Sequence, residues 1–499
     1  MTLPSPLLFL ILVPVLAAGL IILGANARRT AVFAAGLNLA FFGALMAFFK
    51  PAELGFQFFS TAPVVPQLGI SFTLGADGLS MVMLFLSTAV TLAAVWVARE
   101  PAENASWFYA SLMFISAGVI GAFASVDLMF FYMFHELALI PTFLLIGIWG
   151  SGDRQAAAWK ATVYLATGSF ILLLGIIGLY LIQPVELRTF DLRKIIEMAD
   201  TGTIPDSPVV YLLLLVGFGI LVSLFPFHTW APQAYACAPA PASMLHAGVL
   251  KKFGLYGLIR IAAPVLPESI QQFMPLLLAL LVGNILYVGY VTIAQRKLDL
   301  MLGYSSVMHM GYIFLGFAAL NEISLTGSSL MLLSHGLTVA ALFALAGEIR
   351  ERTGTLDFAE LGGIARATPR LGLAFGFAAM ASVGLPGFLG FASELMVFFG
   401  AFVGGQSLMG AAGGQEIFKF NAFQIATICA VWGIVISAIY MLRAYRRIFM
   451  GPLPERWSGL ADLSGLPRAA VVLLLGVMLV FGFFPQILVN LVTPALLLP

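Results

Sequence analysis

The sequence predicts an all-α, polytopic membrane protein, and three observations predict it. The chain is 61% hydrophobic and only 9% charged. Its apolar stretches reach the roughly 20 residues a helix needs to cross a bilayer, and they recur from end to end. They are also continuous. A soluble domain carries roughly a quarter charged residues, and barrel strands alternate apolar with polar positions, so both of those classes are excluded. In hydrocarbon each backbone polar group must be satisfied internally, which leaves the helix.

Taken in order, apolar spans are expected near 4–24, 31–49, 77–98, 107–125, 127–149, 161–183, 208–226, 240–262, 274–294, 301–319, 327–349, 372–401, 421–442 and 469–493, about 14 in all. The first, in "MTLPSPLLFLILVPVLAAGLIILGANARR", lacks a basic leader region. It is too long for a signal peptide and is flanked by Arg28 and Arg29, so it reads as a spanning helix. An even count puts both termini on one side. Alternate loops divide the 24 Lys and Arg unevenly. Arg28, Arg29, Arg99, Arg154, Lys160, Arg296, Lys297, Arg350, Arg352, Arg366, Arg370, Arg443, Arg446, Arg447, Arg456 and Arg468 fall in one set. Only Lys50, Arg188, Arg193, Lys194, Arg260 and Lys419 fall in the other. Basic loops stay in the cytoplasm, so both termini are expected outside it. Arg443, Arg446 and Arg447 read as a solvated cytoplasmic face.

The span after Asp127, "LMFFYMFHELALIPTFLLIGIWG", holds His135 and Glu136 near its middle. "LFPFHTW" around Pro226 and "GLPGF" around Pro386 interrupt or end two others. Proline removes a backbone hydrogen bond, and irregular backbone at membrane depth is tolerated only against protein or water. Two broken helices about five spans apart are the pattern of an inverted repeat in a transporter; two ordinary kinks read the same way on paper.

Glu136, Lys251, Lys252 and Glu394 are charged residues inside spans, and His246, His309 and His335 join them. A charge at a helix centre costs roughly 2.5–3.5 kcal/mol to insert, and each single one has a bland explanation as a packing hydrogen bond or a misplaced boundary. Several on separate helices point to a proton relay, whose members titrate when a neighbour's charge changes. "HELAL" is not a zinc motif, because Leu139 stands where the second histidine belongs. Lys251 and Lys252 point about 100° apart on a regular helix, so they cannot face one cavity equally. Two cysteines, Cys237 and Cys429, supply neither a metal cluster nor a disulfide framework, and no Cys-x-x-Cys-His is present. Any redox chemistry must come from partners. A net charge of +1 says nothing of nucleic acid, and no Gly-rich nucleotide loop occurs.

"LGADGLSM", "FHELALIPTFLLIGIWG", "FPFHTWAPQAYACAPAPASMLHAGVLKKFGLYGLIR", "LGYSSVMHMGYIFLGFAALNE", "SHGLTVAALFALAGEI" and "GLPGFLGFASELMVFFGAF" resemble, in order from about residue 70 to 450, the M-type antiporter-like subunits of proton-translocating NADH–quinone oxidoreductase, respiratory complex I. The resemblance implies fourteen helices with two inverted five-helix repeats and broken helices 7 and 12. It divides the chain into 1–106 (helices 1–3), 107–265 and 266–450 (the repeats), and 451–499 (a loop and helix 14). It implies proton translocation driven by quinone reduction elsewhere. Glu136 falls on the family's helix-5 glutamate, Lys252 on its helix-8 lysine, His309 and His335 on central-axis histidines and Glu394 on the helix-12 exchange group. Lys160 matches a loop lysine of structural role. FMN, iron–sulfur clusters and quinone are expected in partner subunits, with L- and N-type antiporter-like chains as membrane neighbours, in a bacterial inner membrane.

One departure matters. The family has a lysine five residues before the helix-7 proline, the usual partner of the helix-5 glutamate; here that position is Leu221. Either Lys251 or His246 supplies the missing base, or the amino-terminal half no longer pumps. Lys297 and Asp299 also reverse the family's acidic-then-basic order. Relatives in multi-subunit cation/proton antiporters and ion-pumping hydrogenases share this fold and the "KFGLYGLIR" text, and form the alternative reading. A structural spacer would not need to bear the cost of buried charges. The end at Pro499, without a long lateral helix, favours the M type over L, and "HELALIP" favours it over N.

Overall fold

The computed structural model describes residues 5–408 and 420–496; Lys419 and both chain ends lie outside them. α1 (Leu7–Ile22) and α2 (Ala27–Phe48) lead into an antiparallel hairpin of β1 (Gln57–Val65) and β2 (Ile70–Ala76). Then come α3 (Gly78–Val97), α4 (Ala105–Ala124), α5 (Leu128–Trp149), α6 (Arg154–Leu181) and a short amphipathic α7 (Leu192–Asp200). α8 (Pro208–Val222) and α9 (Trp230–Cys237) are two halves of one broken rod. The next rod joins α10 (Ala240–Leu245), α11 (Lys252–Gly257) and α12 (Ala263–Val265) through π-helical turns at His246–Leu250 and Leu258–Ala262. After α13 (Pro267–Gln272), α14 (Met274–Val282) and α15 (Val288–Ala294) are joined by a third such turn at Gly283–Tyr287.

The second half continues with α16 (Leu298–Ala318), α17 (Glu322–Thr353), α18 (Pro369–Val383), α19 (Leu389–Leu408), α20 (Ala422–Phe449), α21 (Gly465–Phe483) and α22 (Gln486–Leu496). Among the described residues, 10 helices are long and apolar enough to span a membrane, with shorter apolar ones beside them. Several start where a side chain accepts an otherwise orphaned backbone N–H: Asn26, Asp77, Asp127, Asp153 and Ser207 in the first half, Asn321 and Asn421 in capping boxes in the second. α3 and α17 are buried over nearly their whole length and form the centre.

Both expected breaks are present, and they are built alike. α8 and α18 each run 15 residues and carry proline in the first turn. Each ends on a left-handed residue, Ser223 at φ 66° and Gly384 at φ 77°. Pro226 follows Ser223 by three residues and Pro386 follows Gly384 by two. Neither proline has an N–H to continue the ladder.

Several expectations need correction. The expected span 372–401 is divided at its predicted break into α18 and α19, but the expected single span 469–493 is also two helices, α21 and α22, divided at Pro485. Residues between the second and third spans form the hairpin of β1 and β2, which adds a small β element to the all-α reading. Lys160 lies within α6 rather than in a loop and donates to Gln233 Oε1 at 3.0 Å. Arg260 is not a loop cation but is buried in the rod of Lys251 and Lys252. Arg443 caps α15, donating to the carbonyls of Ile293 and Gln295, while Arg446 and Arg447 are exposed as expected.

The loops of one face are tied by backbone pairing. Val126 N–H donates to Thr73 O (3.0 Å), Leu128 N–H to Phe190 O (2.9 Å) and Leu192 N–H to Val126 O (3.0 Å), which binds the hairpin, the α4–α5 turn and the α7 loop together. The basic face is tied by ion pairs instead. Arg99 meets Glu351 (3.0 Å), Arg352 meets Glu348 (2.5 Å) and Arg350 meets Asp299. The last pair gives a physical reason for the reversed Lys297/Asp299 order: Asp299, one residue inside α16, faces Arg350 of α17.

Candidate functional site

Lys252 starts the site. Its Nζ is fully enclosed and lies 2.7 Å from the carbonyl of Ala247 and 2.7 Å from His335 Nδ1 on α17. Ala247 belongs to the π turn, a feature that inserts an extra residue into a helix and is frequent at functional sites. From His335 the line continues to His309 on α16, with ring centroids 5.6 Å apart.

His309 is held at both nitrogens by acceptors. Nδ1 is 2.8 Å from Ser305 O and Nε2 is 3.0 Å from Ser382 O. A neutral imidazole donates from one nitrogen only; the imidazolium donates from both. Ser382 lies in the last turn of α18, and the residue four ahead, whose N–H would ordinarily take its carbonyl, is Pro386. The helix break therefore exposes the acceptor that His309 uses.

Glu394 sits on the other side of that break. Buried on α19, its carboxylate lies directly over Gly384: a Cβ built there would fall 2.2 Å from Oε2. Glycine is needed at this position twice over, for its positive φ and for the close approach. No cation lies within ion-pair distance of Glu394 among the described residues. The structure thus brings Lys252, His335 and His309 into one row across α11, α17 and α16, which meets the α18–α19 break at Ser382, where Glu394 packs over Gly384.

Lys251 and His246 form a second group beside it. Lys251 Nζ lies 3.4 Å from Ser306 Oγ and 5.8 Å above the Tyr235 ring. The His246 ring packs between Trp230 and Tyr235, at 5.4 and 5.3 Å.

Glu136 stands apart. It accepts from Ser169 Oγ of α6, with His135 Nδ1 at 3.6 Å, and its side chain is 38% exposed. It opens on a cleft of about 210 Å³ between α5 and α6, lined by Leu139, Ile140, Phe143 and Leu165. The expectation of a deeply buried Glu136 is corrected accordingly. Next to it in sequence, His135 stacks on Phe253, the neighbour of Lys252, which stacks in turn on Phe131, with successive centroids 4.0 and 4.2 Å apart. Leu221 is buried in the last turn of α8 and brings no base toward Glu136.

Two polar groups were not foreseen as part of this interior. Arg260 pairs with Asp77, the N-cap of α3, beside Ser80 and Tyr256, all buried. Glu348, only 2% exposed, is held by Arg352 and Arg99. A signal existed for the first: Arg260 follows Lys252 by eight residues on one helix, and Asp77 opens an apolar run.

A sequence profile described as NADH:quinone oxidoreductase/Mrp antiporter, transmembrane, matches residues 125–418, which contain all seven of the residues placed above as candidates. The chain belongs to this family. Similarity extends further to individual members: NAD(P)H-quinone oxidoreductase chain 4 of Gloeobacter violaceus is 36% identical over 434 residues, covering 86% of this chain and 80% of that one. Chain 4 2 of Thermosynechococcus vestitus is 38% identical over 396 residues, 79% of this chain and 72% of the relative. Among solved structures, a chain of respiratory complex I from Thermus thermophilus with bound NADH superposes with a TM-score of 0.86 at 28% identity, over 99% of this chain and 100% of the other. A chain of the Mrp complex from Dietzia sp. DQ12-45-1b superposes at 0.83 and 24% identity, over 99% and 97%, and shares the fold.

Proposed function

We propose that this chain is a proton-translocating membrane subunit of NADH–quinone oxidoreductase, embedded among other antiporter-like membrane subunits of the complex. The observation that carries this reading is the row of buried groups Lys252, His335 and His309, with His309 bonded to Ser382 at the helix break over which Glu394 packs. Such a row of ionisable groups costs insertion energy at each member. It does one thing well: a proton arriving at one group changes the charge that the next one feels across a low-dielectric gap. Lys252 accepts a proton and His335 and His309 relay it. Glu394 releases it on the face opposite the basic loops. Glu136, held by Ser169, takes part at the edge of the chain, and Lys251 or His246 replaces the base absent at Leu221.

FMN and iron–sulfur clusters belong to partner subunits in this reading, and so does the quinone site. The chain's own donor set does not fit a cluster: it has two cysteines, Cys237 on α9 and Cys429 on α20. The like-built breaks of α8 and α18 support two inverted five-helix repeats, 107–265 and 266–450, in a chain of 14 spans. The bacterial relatives support a cytoplasmic-membrane location, and the concentration of Lys and Arg on one set of loops supports both termini lying outside the cytoplasm.

The test is Lys252→Met in the assembled complex. Proton translocation per quinol formed should fall while the complex still assembles, because the thioether cannot carry the charge that His335 meets. Normal translocation with this variant refutes the relay.

A further inference from the structure

The relay needs an entrance, and the geometry points to one that bypasses Glu136. We infer that protons enter from the basic face through a water-filled inlet between the two halves of the chain, and reach Lys251 by way of Tyr235 and His246. The inference rests on the relay function proposed above.

Two adjoining cavities open on the basic face, of about 280 and 380 Å³. They share Cys237, Asp299 and Arg350, and the first is also lined by the exposed Arg99 and by the buried Glu348 and Tyr235. Carboxylates and guanidiniums in the lining keep such a space wet. The Tyr235 ring meets His246 at 5.3 Å and Lys251 Nζ at 5.8 Å.

The Tyr235 hydroxyl and His246 Nδ1 are both buried and have no hydrogen-bond partner among the described residues. Unpaired buried polar atoms cost about 1–3 kcal/mol each, and buried water ordinarily satisfies them. Two of them, on rings whose centroids lie 5.3 Å apart beside a polar cavity and a buried amine, mark a short water file. The π turn supplies the alignment. On a regular helix, His246 and Lys251 would point about 140° apart, at about 100° per residue. One extra residue absorbed in the turn brings that to about 40°, and Lys251 N–H donates to His246 O at 3.0 Å as the turn closes.

A proton passes from cavity water, along waters held by Tyr235 and His246, to the neutral amine of Lys251; no bond other than those to the proton is made or broken. Ser306 Oγ, 3.4 Å from Nζ, lies on α16 between Ser305 and the relay histidine His309. Lys251 is therefore the member that joins the inlet to the relay, and the loss of a lysine at Leu221 does not close the chain to protons.

Cys237, shared by the two cavities, provides the probe. The complex carrying Cys429→Ser is placed in inverted and right-side-out vesicles and treated with a cationic, membrane-impermeant methanethiosulfonate. Labelling from the face of Arg99 and Arg350 should slow proton translocation several-fold, with a Cys237→Ser complex insensitive. Tyr235→Phe and Lys251→Met should slow it likewise, with assembly on native gels unchanged. Complete labelling of Cys237 without effect, or no labelling from that face, overturns the inlet. So does normal translocation in Tyr235→Phe and Lys251→Met beside a defective Lys252→Met. Normal translocation in Lys252→Met as well removes the relay itself, which separates the two failures.

Discussion

Replacing His309 with leucine should loosen the break between α18 and α19, and the structure sets the size of the effect. Ser305 O loses little, since it lies inside α16 and keeps its place in the helical ladder. Ser382 O loses its donor at 3.0 Å, and Pro386 has no N–H to replace it. One buried carbonyl left unpaired costs about 1–3 kcal/mol. Expressed as local opening, that is about 5- to 150-fold faster hydrogen exchange for amides around Gly384–Gly390 under conditions where exchange reports the opening equilibrium. Exchange mass spectrometry on the purified complex reads this directly. A second substitution sharpens the test. Pro386→Ala restores an N–H four residues beyond Ser382, so in the His309→Leu background it should return much of the lost protection. The two changes are then coupled rather than additive. Unchanged exchange in His309→Leu, or strictly additive effects in the double variant, would refute the assignment of Ser382 as the acceptor that the break provides.

Three further outcomes are expected. Gly384→Ala places a methyl group 2.2 Å from Glu394 Oε2 at φ 77°; it should cost about 1–2 kcal/mol in backbone strain alone and displace the carboxylate, lowering proton translocation more than quinone reduction. Arg260→Met leaves Asp77 as a buried, unpaired carboxylate, a loss of about 3–5 kcal/mol that thermal denaturation of the complex should register, with Asp77→Asn in the same chain recovering part of it. Glu136→Gln retains the hydrogen bond with Ser169 but not the charge; assembly should persist and the number of protons moved per electron should fall through the lost charge rather than through a closed inlet, so a normal ratio would remove the electrostatic part given to Glu136.

What the sequence determined by itself is everything that lipid and local backbone chemistry dictate. Hydropathy over about 20 residues requires membrane helices, and a proline without an N–H interrupts one wherever it falls in the interior; thus Pro226 and Pro386 were legible as breaks, and Glu136, Lys252 and Glu394 as charges needing a purpose. The hairpin at 57–76 and the division at Pro485 escaped because two short strands without clear alternation and a single proline near an end are weak signals beside long apolar runs.

Which residues meet was decided only by the tertiary structure. His309 and Ser382 are 73 residues apart, and Asp77 and Arg260 183 apart. Helices such as α17 are apolar on nearly every side, so no amphipathic stripe declares which face turns inward. Lipid and protein interior are equally apolar, and packing rather than hydrophobicity sets the rotation of each helix. For that reason the sequence put Glu136 among the buried groups, whereas α5 turns it to the edge beside Ser169. The π turn before Lys251 is of the same kind: it shifts every later residue of the rod by about 100°, and only the packed structure reveals that Lys252 thereby meets His335 while Lys251 turns to Tyr235.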